Sequence, residues 1–499
     1  MRRWRTHPIE FKSAARRSVL MGLILFFGIL VELSQAAMGQ VDPGVRGGPA
    51  DAGGPIKGLT PEEEKLFWAS WRRFKEVYSV SGTIERGVGL GPSFNGNSCS
   101  QCHAQPAAGG SSSSPRSPQV RGVVMRDQRL TLNSYSNPEF ALANLDRVPG
   151  RNQTVPSFIV QDGPIRVARF IKKADGTPDG GVHDIYTIAG RLDAGGCSLS
   201  QPNFAEEIRK NNVVYRIPTP AFGAGLVEAV IDDTLEANLR STLSERRALG
   251  IGGVFSRSPN DGTINRFGWK AQNNSALIFA AESFNIEMGV TNEAFPNKRN
   301  PEAGCLFNAL PEDGVKLQSP GSEALQQTYS NSDVVSLAAF MRFSAPPTVT
   351  THTTSELRGR DLFSQIGCQL CHSPVLKTGK SAYGGMSDVE IRPYSDFALH
   401  HMGPGLADHI SQGSASGDEF RTAPLWGIGQ RIFFLHDGRT GDLLVAIKAH
   451  ASTNKNCRAK PPSIAQHEAC DSEANVVIRH FNALSGPQKQ NILDFLRSL

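Results

Sequence analysis

Cys99-Ser-Gln-Cys102-His103 and Cys368-Gln-Leu-Cys371-His372 are two complete C-x-x-C-H patterns in one chain of 499 residues. Two thiols separated by two residues can reach the two vinyl groups of one haem and close thioethers to them. The adjacent histidine then turns beneath the ring and offers a nitrogen to iron. The spacing predicts two covalently bound haem c groups per chain, attached through Cys99, Cys102, Cys368 and Cys371, with His103 and His372 as iron ligands. Zinc competes for any Cys-x-x-Cys pair. Pooling the two segments would offer six ligands to a metal that takes four and would join residues about 270 positions apart, which disfavours zinc.

Such motifs need helices to carry them. Thr60-Pro61-Glu62-Glu63 reads as a helix start, with Thr as cap, Pro in the first turn and Glu closing a capping box. Leu66, Phe67, Phe74 and Val77 supply its apolar face, and the first motif follows. A second lead-in helix runs from about Ser355 through Leu357, Leu362, Phe363 and Ile366 to the second motif. Ser485-Gly-Pro-Gln488 opens a last amphipathic helix through Ile492, Leu493, Phe495, Leu496 and Leu499, expected to cross and cover that lead-in helix. Between about 119 and 225 the period changes. Ile165–Lys172 and His183–Ala189 alternate like strands around Asp175-Gly176 and Asp179-Gly180-Gly181, a hairpin signal. The expected fold is mainly α, with two cytochrome c-like haem domains: 59–345, carrying the β-containing insertion, and 350–499. Residues 37–58, rich in Gly and Pro, read as a flexible leader, and 109–118 as a mobile surface loop.

The first 36 residues read as an export signal. Six basic residues precede the apolar run Val19–Val31, and Ser34-Gln35-Ala36 offers a cleavage site. The run is short for a membrane span, and an uncleaved anchor is the alternative. The expected compartment is the periplasm. The net charge of +5 comes mostly from this segment, so the rest of the chain is nearly neutral and nucleic acid is not an expected partner. Cys197, Cys305, Cys457 and Cys470 remain after the motifs. In an exported chain they suggest disulfides, Cys457–Cys470 across a short polar segment and Cys197–Cys305 by elimination, against four free thiols.

The stretches GLGPSFNGNSCSQCH (89–103), RFGWKAQ (266–272), EMGVTN (287–292), HHMGPGLAD (400–408), RTAPLWGIG (421–429) and FLHDGRT (434–440) together resemble the bacterial di-haem oxidoreductase family of peroxidase-like and thiol-oxidoreductase-like proteins. The resemblance spans about 60–499. A more distant similarity, to di-haem cytochrome c peroxidases, concerns His436-Asp437-Gly438. There the sixth ligand of the C-terminal haem, usually Met, follows the equivalent histidine by fourteen residues, and here that position is His450. The resemblance therefore implies His450 as distal ligand opposite His372. Met402 competes for that role, while His400 and His436 are read as hydrogen-bonding groups for haem propionates or buried backbone. Replacing a thioether by imidazole lowers the reduction potential of the iron.

For the first haem, Met288 is either the sixth ligand opposite His103 or a packing residue beneath the ring. If it does not bind, the iron keeps an open position for peroxide, with Glu287 or Glu282 as distal acid/base. Gln272 and Arg266 are weaker candidates for polarising a distal ligand. The leading reading is a periplasmic di-haem c-type oxidoreductase with peroxidase activity: a small redox protein supplies electrons to the C-terminal haem, which passes them to the N-terminal haem and hydrogen peroxide. The alternatives are a non-catalytic di-haem electron-transfer protein and an oxidant of a protein or thiol partner. Oligomeric state is not readable.

Overall fold

The computed structural model describes residues 40–80, 82, 89–113, 139, 155–189, 191–300, 302–314, 316–317, 329–330, 332–348, 352–455 and 468–499. The expected export signal lies outside them. Among the described residues are twelve α-helices and five small sheets, and no helix long and apolar enough to cross a membrane.

Three helix starts follow their capping boxes. Thr60 Oγ1 accepts the Glu63 N–H (3.2 Å) while Glu63 accepts the Thr60 N–H (2.8 Å), and Pro61–Phe74 begins there. Thr353 with Glu356 opens Thr354–Gln365, and Ser485 with Gln488 opens Gly486–Ser498. The terminal helix crosses the second lead-in helix as expected. A Cβ on Gly359 would stand 1.9 Å from the Asn491 carbonyl oxygen, so the crossing requires glycine. Phe363 and Phe495 meet edge-on beside it at 5.6 Å.

The first lead-in helix is covered by Asp333–Phe343, a helix not expected from the sequence. Phe340 stacks on Phe74 (4.3 Å) and Phe67 (5.9 Å), and Arg73 pairs with Asp333 at 2.7 Å. One core gathers Phe67, Phe74, Phe284, Met288 and Phe340, and takes in Leu376, Met386, Ile391, Phe397 and Trp426 from farther along the chain. A second, around Phe363, Phe434, Phe481 and Phe495, draws among the described residues on the chain from Leu362 onward.

The expected hairpin forms. Val167–Phe170 pairs antiparallel with Val182–His183 and, on its other edge, with Val213–Arg216. The run His183–Ala189 does not continue as one strand. Tyr186–Thr187 pairs instead with Ser93–Phe94, which ties the hairpin to the chain entering the first motif.

Residues 40–58 lack regular structure, as their composition suggests, but they are not loose. The Arg46 and Ile56 N–H groups donate to Gly429 (2.8 Å) and Phe343 (2.8 Å), and Asp42 pairs with Arg497 in the terminal helix (2.6 Å). Nor is the start of the Gly/Ser loop on the surface. Ser111 and Ser112 are each 1% exposed, and Ser111 Oγ donates to the Pro218 carbonyl. Cys197 and Cys305 form a disulfide, and Cys470 is disulfide-bonded; Cys457 lies outside the described residues.

Candidate functional site

Cys99–Cys102 form a single helical turn with His103 at its end, and all three side chains of the motif face a void of about 1290 Å³. The Cys99 and Cys102 thiols are kept protonated by burial. His103 Nδ1 donates to the Gly110 carbonyl (3.2 Å), so the second ring nitrogen keeps its lone pair. The Gly/Ser loop, expected on the surface, thus orients the motif histidine from inside. Phe74 stands edge-on to the His103 ring at 6.2 Å.

Met288 ends the Ala276–Met288 helix, is 2% exposed and lines this void together with Glu282, Glu287 and Gln272. Removal from bulk water and the nearby Glu282 push the Glu287 carboxyl up to about 7, against the opposing pull of Arg169. Glu282 accepts from Asn273 Nδ2 at 2.5 Å. Arg266 is not part of this site. Its guanidinium is engaged by Asp232 and by the Val230 and Ile264 carbonyls, and it faces away from the first void. Glu139, which burial pushes up to about 8, Arg169 and Met341 also line this void, and no sequence pattern singles them out.

The second motif lies on the short turn Cys368–Leu370 and opens onto a void of about 1340 Å³. Burial pushes the Cys368 thiol up to about 12. His372 Nδ1 donates to the Tyr394 carbonyl (3.1 Å), repeating the arrangement at His103. Tyr394 takes a left-handed backbone (φ 51°), as does Leu435 beside His436 (φ 68°). Each costs of order 1 kcal/mol, strain of the kind that gathers at functional sites.

His450 lines the same void. Its Nδ1 donates to Ala446 O at 2.8 Å, leaving Nε2 free. Burial and the neighbouring His450 push His372 down to about 4. Met402 also lines the void. His400 does too, but both its nitrogens are taken, Nδ1 by Glu473 (2.6 Å) and Nε2 by Asp396 (3.1 Å), so it has no lone pair for iron. His436 stacks on Phe420 at 4.3 Å, and burial pushes it down to about 4.

The voids fit haem in the chemistry of their walls. Among the described residues, Arg421 donates to the Gly268 and Thr422 carbonyls and lies over the Phe397 ring at 5.8 Å, and the Arg431 side chain has no hydrogen-bond partner. Both guanidiniums are buried, with their pKa pushed down to about 10. Two buried cations without carboxylates call for an anion, and propionates on a macrocycle in this void would supply it. In the first void the buried Arg169 Nε and Gln272 Oε1 are likewise without partners.

Trp269 lines both voids; its Nε1 donates to Ile217 O at 3.0 Å and its ring stands 6.4 Å from His436. A lone Trp between Gly268 and Lys270 follows no period, so the sequence offered no pattern that would place it. Arg216, Asp408 and Lys270 form a buried ion cluster nearby, with contacts of 2.7 and 3.1 Å.

Paired voids, each with a C-x-x-C-H motif at its wall and one tryptophan shared between them, define a redox protein built around two haems. The family described as "Di-haem oxidoreductase, putative peroxidase" matches residues 170–471, more than half of the chain, and the chain belongs to that family. The match includes the second motif and begins after the first. No curated protein matches the sequence. Among solved structures, a MauG-like protein associated with microbial copper homeostasis is 18% identical over 34% of this chain and 52% of its own, with a TM-score of 0.22; this chain thus spans about half of that protein's length.

Proposed function

We propose that this protein is an exported di-haem c-type oxidoreductase that reduces hydrogen peroxide at its first site with electrons delivered through its second. The observation that carries the reading is the unequal furnishing of the two voids. The second offers His450 in addition to His372, a pair of imidazoles suited to a closed, electron-transferring iron. Among the described residues the first offers no second imidazole, but it has the carboxyls of Glu139, Glu282 and Glu287.

Haem, when bound through Cys99/Cys102 and Cys368/Cys371, supplies one-electron iron chemistry at each site. The protein's own groups do the rest. His103 and His372 are held in one tautomer by Gly110 and Tyr394. Reduction of hydrogen peroxide to two waters consumes two electrons from the redox donor and two protons from solvent, and Glu287, its carboxyl pushed up to about 7, can take a proton from one peroxide oxygen and deliver it to the other as the O–O bond breaks. Arg169 and Gln272 offer the polar atoms that orient it. Trp269 fills the wall between the sites. The repeated pairing of Phe74 with Phe340 and of Phe363 with Phe495, each beside a motif histidine, supports two cytochrome c-like units, about 59–345 and 350–499. A small periplasmic redox protein is the proposed electron donor.

Met288 and Met341, both in the first void, favour a second reading in which a thioether closes that iron and the protein only carries electrons. Stopped-flow mixing of half-reduced protein with hydrogen peroxide separates the two. Rapid reaction, slowed roughly 10²-fold or more by Glu287→Gln, is expected for the peroxidase. Reaction no faster than that of free haem leaves the carrier. Met288→Ala then creates a high-spin iron that the native protein lacks, whereas in the peroxidase it leaves turnover intact or raised.

A further inference from the structure

The segment bearing His450 is held by burial of Leu443 and Ala446 in the second core, by the Asp442 cap on the Val445 N–H (3.0 Å) and by ties at its two ends. Leu443–Lys448 is a helix of six residues, and so short a helix keeps its place through what its ends are tied to. The exit is tied by Ser472, whose hydroxyl donates to the His450 carbonyl at 2.5 Å. At the entry the Leu443 N–H donates to Asp42 Oδ2 at 2.7 Å, across 401 positions of sequence.

Asp42 is itself fixed. Its carboxylate takes Nε and Nη2 of Arg497 at 2.6 Å each and the Gly44 N–H at 3.0 Å, and the two side chains are 9% and 5% exposed. Leu443, Ala446 and Ile447 line the second void, and the Ala446 carbonyl receives the His450 Nδ1–H. The connection is continuous from the N-terminal segment to the free imidazole nitrogen.

We infer that Asp42 is the positioning residue for His450, so that the chain's N-terminal segment sets how firmly the second site is closed. The inference rests on His450 being that site's distal ligand. Removing the carboxylate deletes a charge-assisted hydrogen bond and lets the helix entry drift, which raises the population with His450 detached by about ten-fold.

Exogenous imidazole reads that population, because its apparent affinity scales with the fraction of open sites. Ferric holoprotein is titrated with imidazole and binding is followed by electron paramagnetic resonance, as a shift of the low-spin signal in wild type and the Asp42 variants and as conversion of high-spin to low-spin iron in His450→Ala. Asp42→Ala is expected to bind about ten-fold more tightly than wild type, and Asp42→Asn, which keeps an acceptor oxygen, to fall between them. Arg497→Lys leaves the Leu443 bond in place, so it is expected to lower thermal stability and to keep wild-type imidazole affinity.

If His450→Ala binds imidazole more tightly while Asp42→Ala matches wild type, the positioning role is overturned and the ligand reading stands. Equal tightening in Asp42→Ala and Arg497→Lys would also overturn it, since docking of the terminal helix would then explain both. If His450→Ala behaves as wild type, the ligand reading fails and the inference falls with it.

Discussion

Glu287 holds its proton to about pH 7, where an exposed glutamate would have lost it near 4.3. As a base toward peroxide it must start ionised, so the second-order rate constant with peroxide is expected to rise with pH through about 7 and to become flat in Glu287→Gln. Stability runs the other way. Between the ordinary and raised values the folded chain binds a proton that the unfolded chain has released, so stability falls as pH rises across that window. Glu287→Gln should then be more stable than wild type above pH 7, as chemical denaturation at several pH values would register. At the second site, His450→Ala should convert one low-spin iron to high-spin and raise its potential; an unchanged spectrum passes the role to Met402. The motif cysteines and histidines were legible because their chemistry demands a local spacing. Arg421 and Arg431 were not, because an arginine becomes informative only when it is buried without a carboxylate, and burial is a property of the fold.

Elements bounded by capping boxes were readable from four residues, since the box satisfies its donors locally. Asp333–Phe343 carries a weaker local signal, Ser332 as N-cap ahead of Val334, Leu337, Ala338 and Met341 but with no acidic or amide side chain to close a capping box. The strands were harder. None among the described residues exceeds four residues, and Tyr186–Thr187 left its expected hairpin for Ser93–Phe94, a choice made by packing beside the first motif. The helix crossing at Gly359 makes a direct test. Gly359→Ala should force the helices apart and cost about 1–3 kcal/mol in urea denaturation, more than any gain in helix propensity returns.

Across the whole molecule, two motifs imply two haems that behave as separate attachments. Replacing Cys99 and Cys102 by Ala should lower the pyridine haemochrome stoichiometry from two to one and leave the second site's spectrum in place. The division into two units is less clean than the motifs suggest, because the larger core recruits Leu376, Phe397 and Trp426 from the far side of the expected boundary. That mixing escaped the sequence because burial of a scattered apolar residue follows no period. The bond between Asp42 and Arg497 spans 455 positions and joins nearly the first described residue to nearly the last. A tie of that reach makes the described chain behave as a closed ring: a nick at an exposed loop between the two residues would leave both pieces fastened to each other through this ion pair.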